Sequence, residues 1–258
     1  MITIASADLN AMIAAFIFPL ARILALLSAA PPYNSGSLPR RARLILGLAI
    51  TLAIAPGLDN LPAIAPASGI GLLVMAEQML IGYAMGFSLR LVFSAIDLAG
   101  TVFSTQMGLG FATSYDPMST SQTPVVSEMI GILALLMFMA IDGHLMVLST
   151  LAQSFRALPI GVLPGSASWA NLANAVAIVF SAGLLLALPI ITALLITNTA
   201  LGILGRVSPQ LNLIVIGFPV TIALGFAALY VALPYLIQPL LQLFETGLRS
   251  MLGNLVLR

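Results

Sequence analysis

The chain's single histidine, His144, follows Asp142 by two residues in Ile141-Asp-Gly-His-Leu145, and a carboxylate beside an imidazole is a pairing that acid–base chemistry uses. On a continuous helix this spacing sends the two side chains to opposite sides, so they meet only if Gly143 breaks the helix. They read either as satisfied polar residues at a helix end or subunit contact, or as a pH-sensing or proton-relay pair. One histidine without cysteine builds no multi-histidine or thiolate metal site, and neither HExxH nor GxSxG occurs. Lysine is absent as well, which removes Schiff-base chemistry and the phosphate-binding lysine of a P-loop. Arg22, Glu77, Arg90, Asp97 and Glu128 stand in apolar runs, where an ionisable group is costly and faces a partner or an aqueous cavity. Arg90 and Asp97 are seven residues apart and share a helix face about 10 Å apart along the axis. A structural ion pair, within the chain or to a neighbour, and a proton pathway both fit that spacing.

The elements that position these groups are apolar. Hydrophobic residues make up 60% of the 258 positions and charged residues 7%, against about a quarter charged in a soluble domain. A bilayer core needs roughly 20 mostly apolar residues per helical crossing. Six segments approach this: 11–30, 44–56, 69–96, 125–151, 172–201 and 211–236, the second too short to span alone. The expected fold class is an all-α membrane protein of about six long apolar helices, several kinked, in hairpins, with a re-entrant central loop. It forms one domain over residues 1–258, with a C-terminal helical hairpin at about 172–236. Residues 239–258 suggest a separate short amphipathic helix at an interface. Pro189, Pro219 and Pro234 are expected to bend or break their helices.

The N-terminus lacks a basic region ahead of its apolar run, so that run is expected to remain in the mature protein rather than act as a cleaved leader. Arg40, Arg41 and Arg43 place the first connection in the cytoplasm, but six crossings then leave Arg156, Arg249 and Arg258 outside, a mixed vote. Gly82 and Gly86 form a small-residue ridge of the kind that lets helices approach closely in lipid, for packing within the chain or against a neighbouring subunit. A net charge of +1 gives no surface for neutralising phosphates, so nucleic acid is excluded as a partner.

Two connections carry specific signals. Residues 106–124 join two apolar segments and combine Gly108, Gly110, Asp116 and Pro117 with the bulky apolar Met107, Phe111, Tyr115 and Met118. Glycine and Asp-Pro favour irregular backbone, and irregular backbone at membrane depth is buried in protein or lines a cavity. The segment is therefore a packed connecting loop or a re-entrant loop that blocks a passage and moves aside. In Arg206-Val-Ser-Pro-Gln-Leu-Asn212, Ser208 before Pro209 marks a helix start, with Gln210 and Asn212 completing a tight hairpin turn.

Four stretches, Glu77–Gly86 (EQMLIGYAMG), Gln106–Pro117 (QMGLGFATSYDP), Gly143–Gly161 (GHLMVLSTLAQSFRALPIG) and Arg206–Pro219 (RVSPQLNLIVIGFP), resemble the FliR family of flagellar export-gate proteins. The virulence-secretion counterparts of that family, SctT, share most of these motifs; the Gly-His and LPIG features favour the flagellar branch. The resemblance implies a non-enzymatic core subunit of the flagellar type III export gate, in the bacterial inner membrane at the flagellar basal body. It implies assembly with FliP-type and FliQ-type subunits, an FlhB-type switch protein and an FlhA-type export protein, around unfolded flagellar substrates and in contact with membrane lipid. It also implies that residues 108–118 plug the closed channel, with Met107, Phe111 and Met118 better suited to that than Ser114 and Tyr115. The family's helices sit in a raised, tilted assembly, which would account for the mixed arginine vote.

Two other classes stand beside this reading. A stand-alone secondary transporter would use Glu77, Arg90 and Asp142 as substrate or proton sites, but requires matching broken helices in two halves of the chain, which the sequence lacks. An intramembrane hydrolase requires a nucleophile with a base in reach, and His144 has no positioned partner.

Overall fold

The computed structural model describes residues 6–34, 38–58, 64–109, 124–208 and 213–256. Among them every long element is helical: α1 (Ser6–Ala29), α2 (Arg40–Ile54), α3 (Gly69–Gln106), α4 (Val125–Ala140), α5 (Gly143–Ala157), α6 (Ser166–Asn174), α7 (Ala177–Val207) and α8 (Leu213–Val256), with a 3-10 turn at Ala55–Gly57. Four stretches are long and apolar enough to cross a membrane: Ala11–Ala29, Gly69–Gln106, Ser166–Val207 and Gly217–Val256. A fifth crossing arises if the bent pair α4 and α5 is counted as one. The all-α membrane class stands, with four or five crossings where the sequence suggested about six long apolar helices.

Local chemistry sets several of the boundaries. The Ser68 hydroxyl accepts the Gly71 N–H at 3.0 Å, a side-chain cap on the third residue of α3. Pro31 and Pro32 follow α1, and a residue before proline is pushed out of the helical region. The expected continuous segment 125–151 is broken instead, with α4 and α5 meeting at 66°. The break is at Asp142, whose φ of 57° and ψ of 26° are left-handed, a conformation that Asp tolerates better than most residues.

At the C-terminus the outcome is reversed. Pro219, Pro234 and Pro239 all lie inside α8, which runs 44 residues without interruption, and Pro189 lies inside α7. Residues 239–256 therefore continue the long helix and do not form a separate amphipathic one. Proline removes one donor per position, whereas breaking a helix in apolar surroundings would strand several backbone groups, so continuation is the cheaper outcome. The hydroxyls of α7 are silenced similarly: Ser181, Thr192, Thr197 and Thr199 each donate to the carbonyl four residues earlier.

The chain packs as two compact units, residues 1–91, 141–176 and 245–258 in the first and 92–140 and 177–244 in the second. In the first, α1 lies along α3 with its residues in the same order. A Cβ added at Gly82 would strike the Arg22 carbonyl oxygen, and one at Gly86 would come within 2.7 Å of the Ala29 Cβ. The small-residue ridge thus serves packing within the chain. α5 runs antiparallel to α1, since Ser154 meets Arg22 while His144 meets Tyr33. In the second unit, Phe93, Phe138 and Phe244 form a mutual aromatic cluster with ring centroids 5.2–5.6 Å apart. α3 and α4 close on Gly100, where an added Cβ would lie 2.6 Å from the Ser127 Cα.

Candidate functional site

The segment singled out by sequence leaves α3 through a defined helix cap. The Gly108 N–H donates to the Thr105 carbonyl and the Leu109 N–H to the Ser104 carbonyl, both at 3.0 Å, while Gly108 has φ +81°. These two bonds and a left-handed glycine make a Schellman motif, so Gly108 is a fixed terminator of α3. Met107 is fully buried, and α8 leaves room for it at Gly225, where an added Cβ would fall 2.5 Å from the Met107 Cγ. The Thr221 hydroxyl donates to the Phe218 carbonyl at 3.0 Å, with the Met107 carbonyl at 3.4 Å, and the Phe218 ring lies 3.2 Å from the position a Gly108 Cβ would take. The start of the loop is thereby anchored on α8 within the second unit. Gly110, Phe111, Tyr115, Asp116, Pro117 and Met118 lie outside the described residues. So do Pro209, Gln210 and Asn212 of the second connection. There, Arg206 is exposed in the last turn of α7 and the Ser208 N–H donates to the Leu204 carbonyl at 2.9 Å, closing that helix.

The most densely bonded ionisable group is Arg22, wholly buried on α1. Its Nε donates to Gln78 Oε1 at 2.8 Å, Nη1 to Ser154 Oγ at 3.1 Å and Nη2 to the Leu158 carbonyl at 2.9 Å. The guanidinium carbon sits 4.3 Å from the centroid of the Phe155 ring. A planar fork with five donors can bind three neutral acceptors and stack on an aromatic at once, which an ammonium cannot. Arg22 thus holds α1, α3 and the end of α5 together. Sequence marked it as a costly cation but gave no sign of its partners, which stand 56 to 136 residues away.

The other ionisable residues divide by exposure. Glu77 is buried, and its Oε2 has no hydrogen-bond partner among the described residues. Arg90, Asp97, Glu128 and Asp142 are exposed on this chain. Arg90 and Asp97 form no ion pair; the one present among the described residues joins Glu245 to Arg249 at 3.6 Å. The Ser127 hydroxyl instead donates to the Asp97 backbone carbonyl at 3.0 Å. Glu128 lies in the first turn of α4, where the helix dipole favours a carboxylate. His144 accepts the Tyr33 hydroxyl on its backbone carbonyl at 2.9 Å, while its Nδ1 is buried without a partner among the described residues. The Asp142 side chain makes no capping hydrogen bond to α5.

Comparison with known proteins supplies the remaining context. The model of a family described as bacterial export proteins, family 1, matches residues 13–247. A flagellar biosynthetic protein FliR of Pectobacterium carotovorum subsp. carotovorum is 45% identical over 241 residues, 93% of this chain and 91% of that protein. The protein of the same name from Escherichia coli (strain K12) is 40% identical over 244 residues, 93% of this chain and 92% of its own length. The chain belongs to the FliR family of bacterial export proteins. A relative from Bacillus subtilis (strain 168), also named FliR, is 27% identical over 249 residues, 94% of this chain and 95% of that protein.

The four stretches that resemble FliR proteins acquire physical roles here. Glu77–Gly86 supplies Gln78 to Arg22 and the two glycines on which α1 lies. Gln106–Gly108 caps α3. Gly143–Gly161 forms α5, provides Ser154, Phe155 and Leu158 around Arg22, and ends at Gly161 with φ +90°. Arg206–Pro219 spans the end of α7 and the start of α8, whose Phe218 packs beside Gly108.

Proposed function

We propose that this chain is a core subunit of the flagellar type III protein export gate, forming part of the channel that passes unfolded flagellar subunits across the bacterial inner membrane. The observation that carries this reading is the match to FliR proteins over nearly the whole of both lengths. In this role the chain is a conducting and structural subunit, one integral-membrane gate domain over residues 1–258, and it performs no covalent chemistry. Its partners are FliP-type and FliQ-type gate subunits, an FlhB-type switch protein and an FlhA-type export protein. The exposed Arg90, Asp97, Glu128 and Asp142 suit contact with such subunits, because lipid would not solvate them.

Residues 108–118 act as the channel plug. The anchoring of Met107 and Gly108 on α8 supports this, because a segment that opens and closes needs a fixed point of departure. Phe111 and Met118 supply the deformable apolar bulk, and Asp116-Pro117 the turn. The test is to delete residues 110–118 while keeping Met107 and Gly108, so that the cap of α3 survives. The gate should assemble and the membrane should become permeable to ions or small solutes. Unchanged permeability in a fully assembled mutant would remove the plug assignment.

A further inference from the structure

We propose that the groove between the last turns of α5 and α8 is a binding site for an anionic phospholipid. The groove is open along one side and has a volume of about 530 Å³. Gln153, Arg156 and Ala157 of α5 line one wall and Leu252, Gly253 and Val256 of α8 the other, all within the first unit. The lining is mainly apolar, with one cation and one amide three residues apart on the same face of α5. Arg156 is exposed and makes neither an ion pair nor a hydrogen bond among the described residues. Arg249, one to two turns before Gly253 and Val256 on the same face of α8, is engaged by Glu245. Among the described residues one positive charge therefore stands uncompensated beside an apolar wall, and basic pockets between membrane helices take lipid headgroups.

The position along the helices fits a headgroup. α8 is among the membrane-length helices and the bent pair α4 and α5 qualifies as a fifth span, and the groove lies where both end. The Ser168 hydroxyl donates to the Leu255 carbonyl at 3.1 Å, which brings Trp169, the chain's single tryptophan, to the same level. Tryptophan is enriched where hydrocarbon meets water. Both helices present carbonyl ends there, which disfavours an anion on their axes. The phosphate must therefore sit on the Arg156 guanidinium and the Gln153 amide, with an acyl chain along Leu252, Gly253 and Val256. A single exposed cation beside an open apolar trough at the helix ends matches a phosphate with an acyl chain beneath it, so the lipid is the favoured occupant. The proposal depends on the membrane character of the chain and not on its export role.

The test uses the full-length chain, in the complex it purifies with, exposed to phosphatidylglycerol or to phosphatidylcholine with the same acyl chains. Retained lipid is counted by native mass spectrometry. The wild type should retain phosphatidylglycerol preferentially, and Arg156→Gln should lower that retention about tenfold, the factor for losing one charge-assisted partner. Gly253→Phe should lower retention of both lipids by filling the trough, the Cβ position itself being open with no atom within 4 Å. Unchanged helicity and thermal midpoint establish that both variants remain folded. Equal retention by the wild type and both variants would overturn the proposal, as would complete displacement of the lipid by inorganic phosphate. Loss of a co-purifying protein from Arg156→Gln with lipid retention unchanged would assign the groove to an acidic partner and reject the lipid.

Discussion

Arg22 and Tyr33 show how single residues join distant parts of the first unit. Replacing Arg22 by Met keeps the volume but leaves Gln78 Oε1 and the Leu158 carbonyl without their donor, and a buried unsatisfied acceptor costs about 1–3 kcal/mol. Arg22→Lys keeps the charge but loses the fork and the stacking on Phe155, so it should not rescue stability. Both variants are expected to unfold at lower temperature in detergent than the wild type; a Lys variant with an unchanged midpoint would contradict the three-acceptor account. Tyr33 lies in the turn after α1, and burial pushes its phenol up to about 12 from a usual 10.0. The folded chain holds this proton longer than the unfolded chain. Its contribution is thus complete below pH 10 and is lost as pH rises from there through about 12. Tyr33→Phe should remove that part of the alkaline slope in a stability titration and cost about 0.5–1.5 kcal/mol at neutral pH for the lost bond to His144.

At the scale of elements, the contact between α1 and α3 depends on two positions without side chains. Gly82→Ala or Gly86→Ala forces backbone apart, because the atoms met are the Arg22 carbonyl at one site and the Ala29 Cβ and Leu26 carbonyl at the other. Each should cost about 1–3 kcal/mol as overpacking, and the double variant more, read as a fall in thermal midpoint. Gly69→Ala provides the contrast, since a Cβ there meets nothing and α3 should be unaffected or slightly stabilised. The helix pattern was legible wherever apolar length alone decides, as in α1 and in α3 up to Ile96. The final turns of α3 were not, because Ser94, Asp97, Thr101, Ser104, Thr105 and Gln106 dilute the apolar run. Thr101 and Thr105 return their hydroxyls to the helix's own carbonyls, which lets it continue to the cap at Gly108. The prolines of α8 do not end it, since each removes only one backbone donor, so they did not mark the boundary expected near Pro239.

At the scale of the whole molecule, a tag on this chain should isolate a particle of several different small membrane proteins. Intact-mass measurement in mild detergent checks this, and a stable monomer or homodimer would favour a stand-alone transporter. The mixed arginine vote also acquires a physical basis at this scale. Arg43 donates to the Tyr33 carbonyl, and Tyr33 binds His144 at the start of α5, whereas Arg156 closes α5 about 20 Å further along the helix axis. Arg43 and Arg156 thus stand toward opposite ends of α5, and a rule that counts arginines per connection does not register that arrangement. Composition and apolar length by themselves determined the membrane class and the absence of thiolate and lysine chemistry, while the resemblance to the FliR family rested on four motif stretches. The first two follow from residue identity and each residue's own transfer free energy. Tertiary structure decided that Gly82 and Gly86 face α1, that Met107 fills the space at Gly225, and that Arg22 gathers Gln78, Ser154 and Leu158. Each depends on which atoms meet across 50 to 140 residues of chain, a matter of packing geometry that local spacing does not encode.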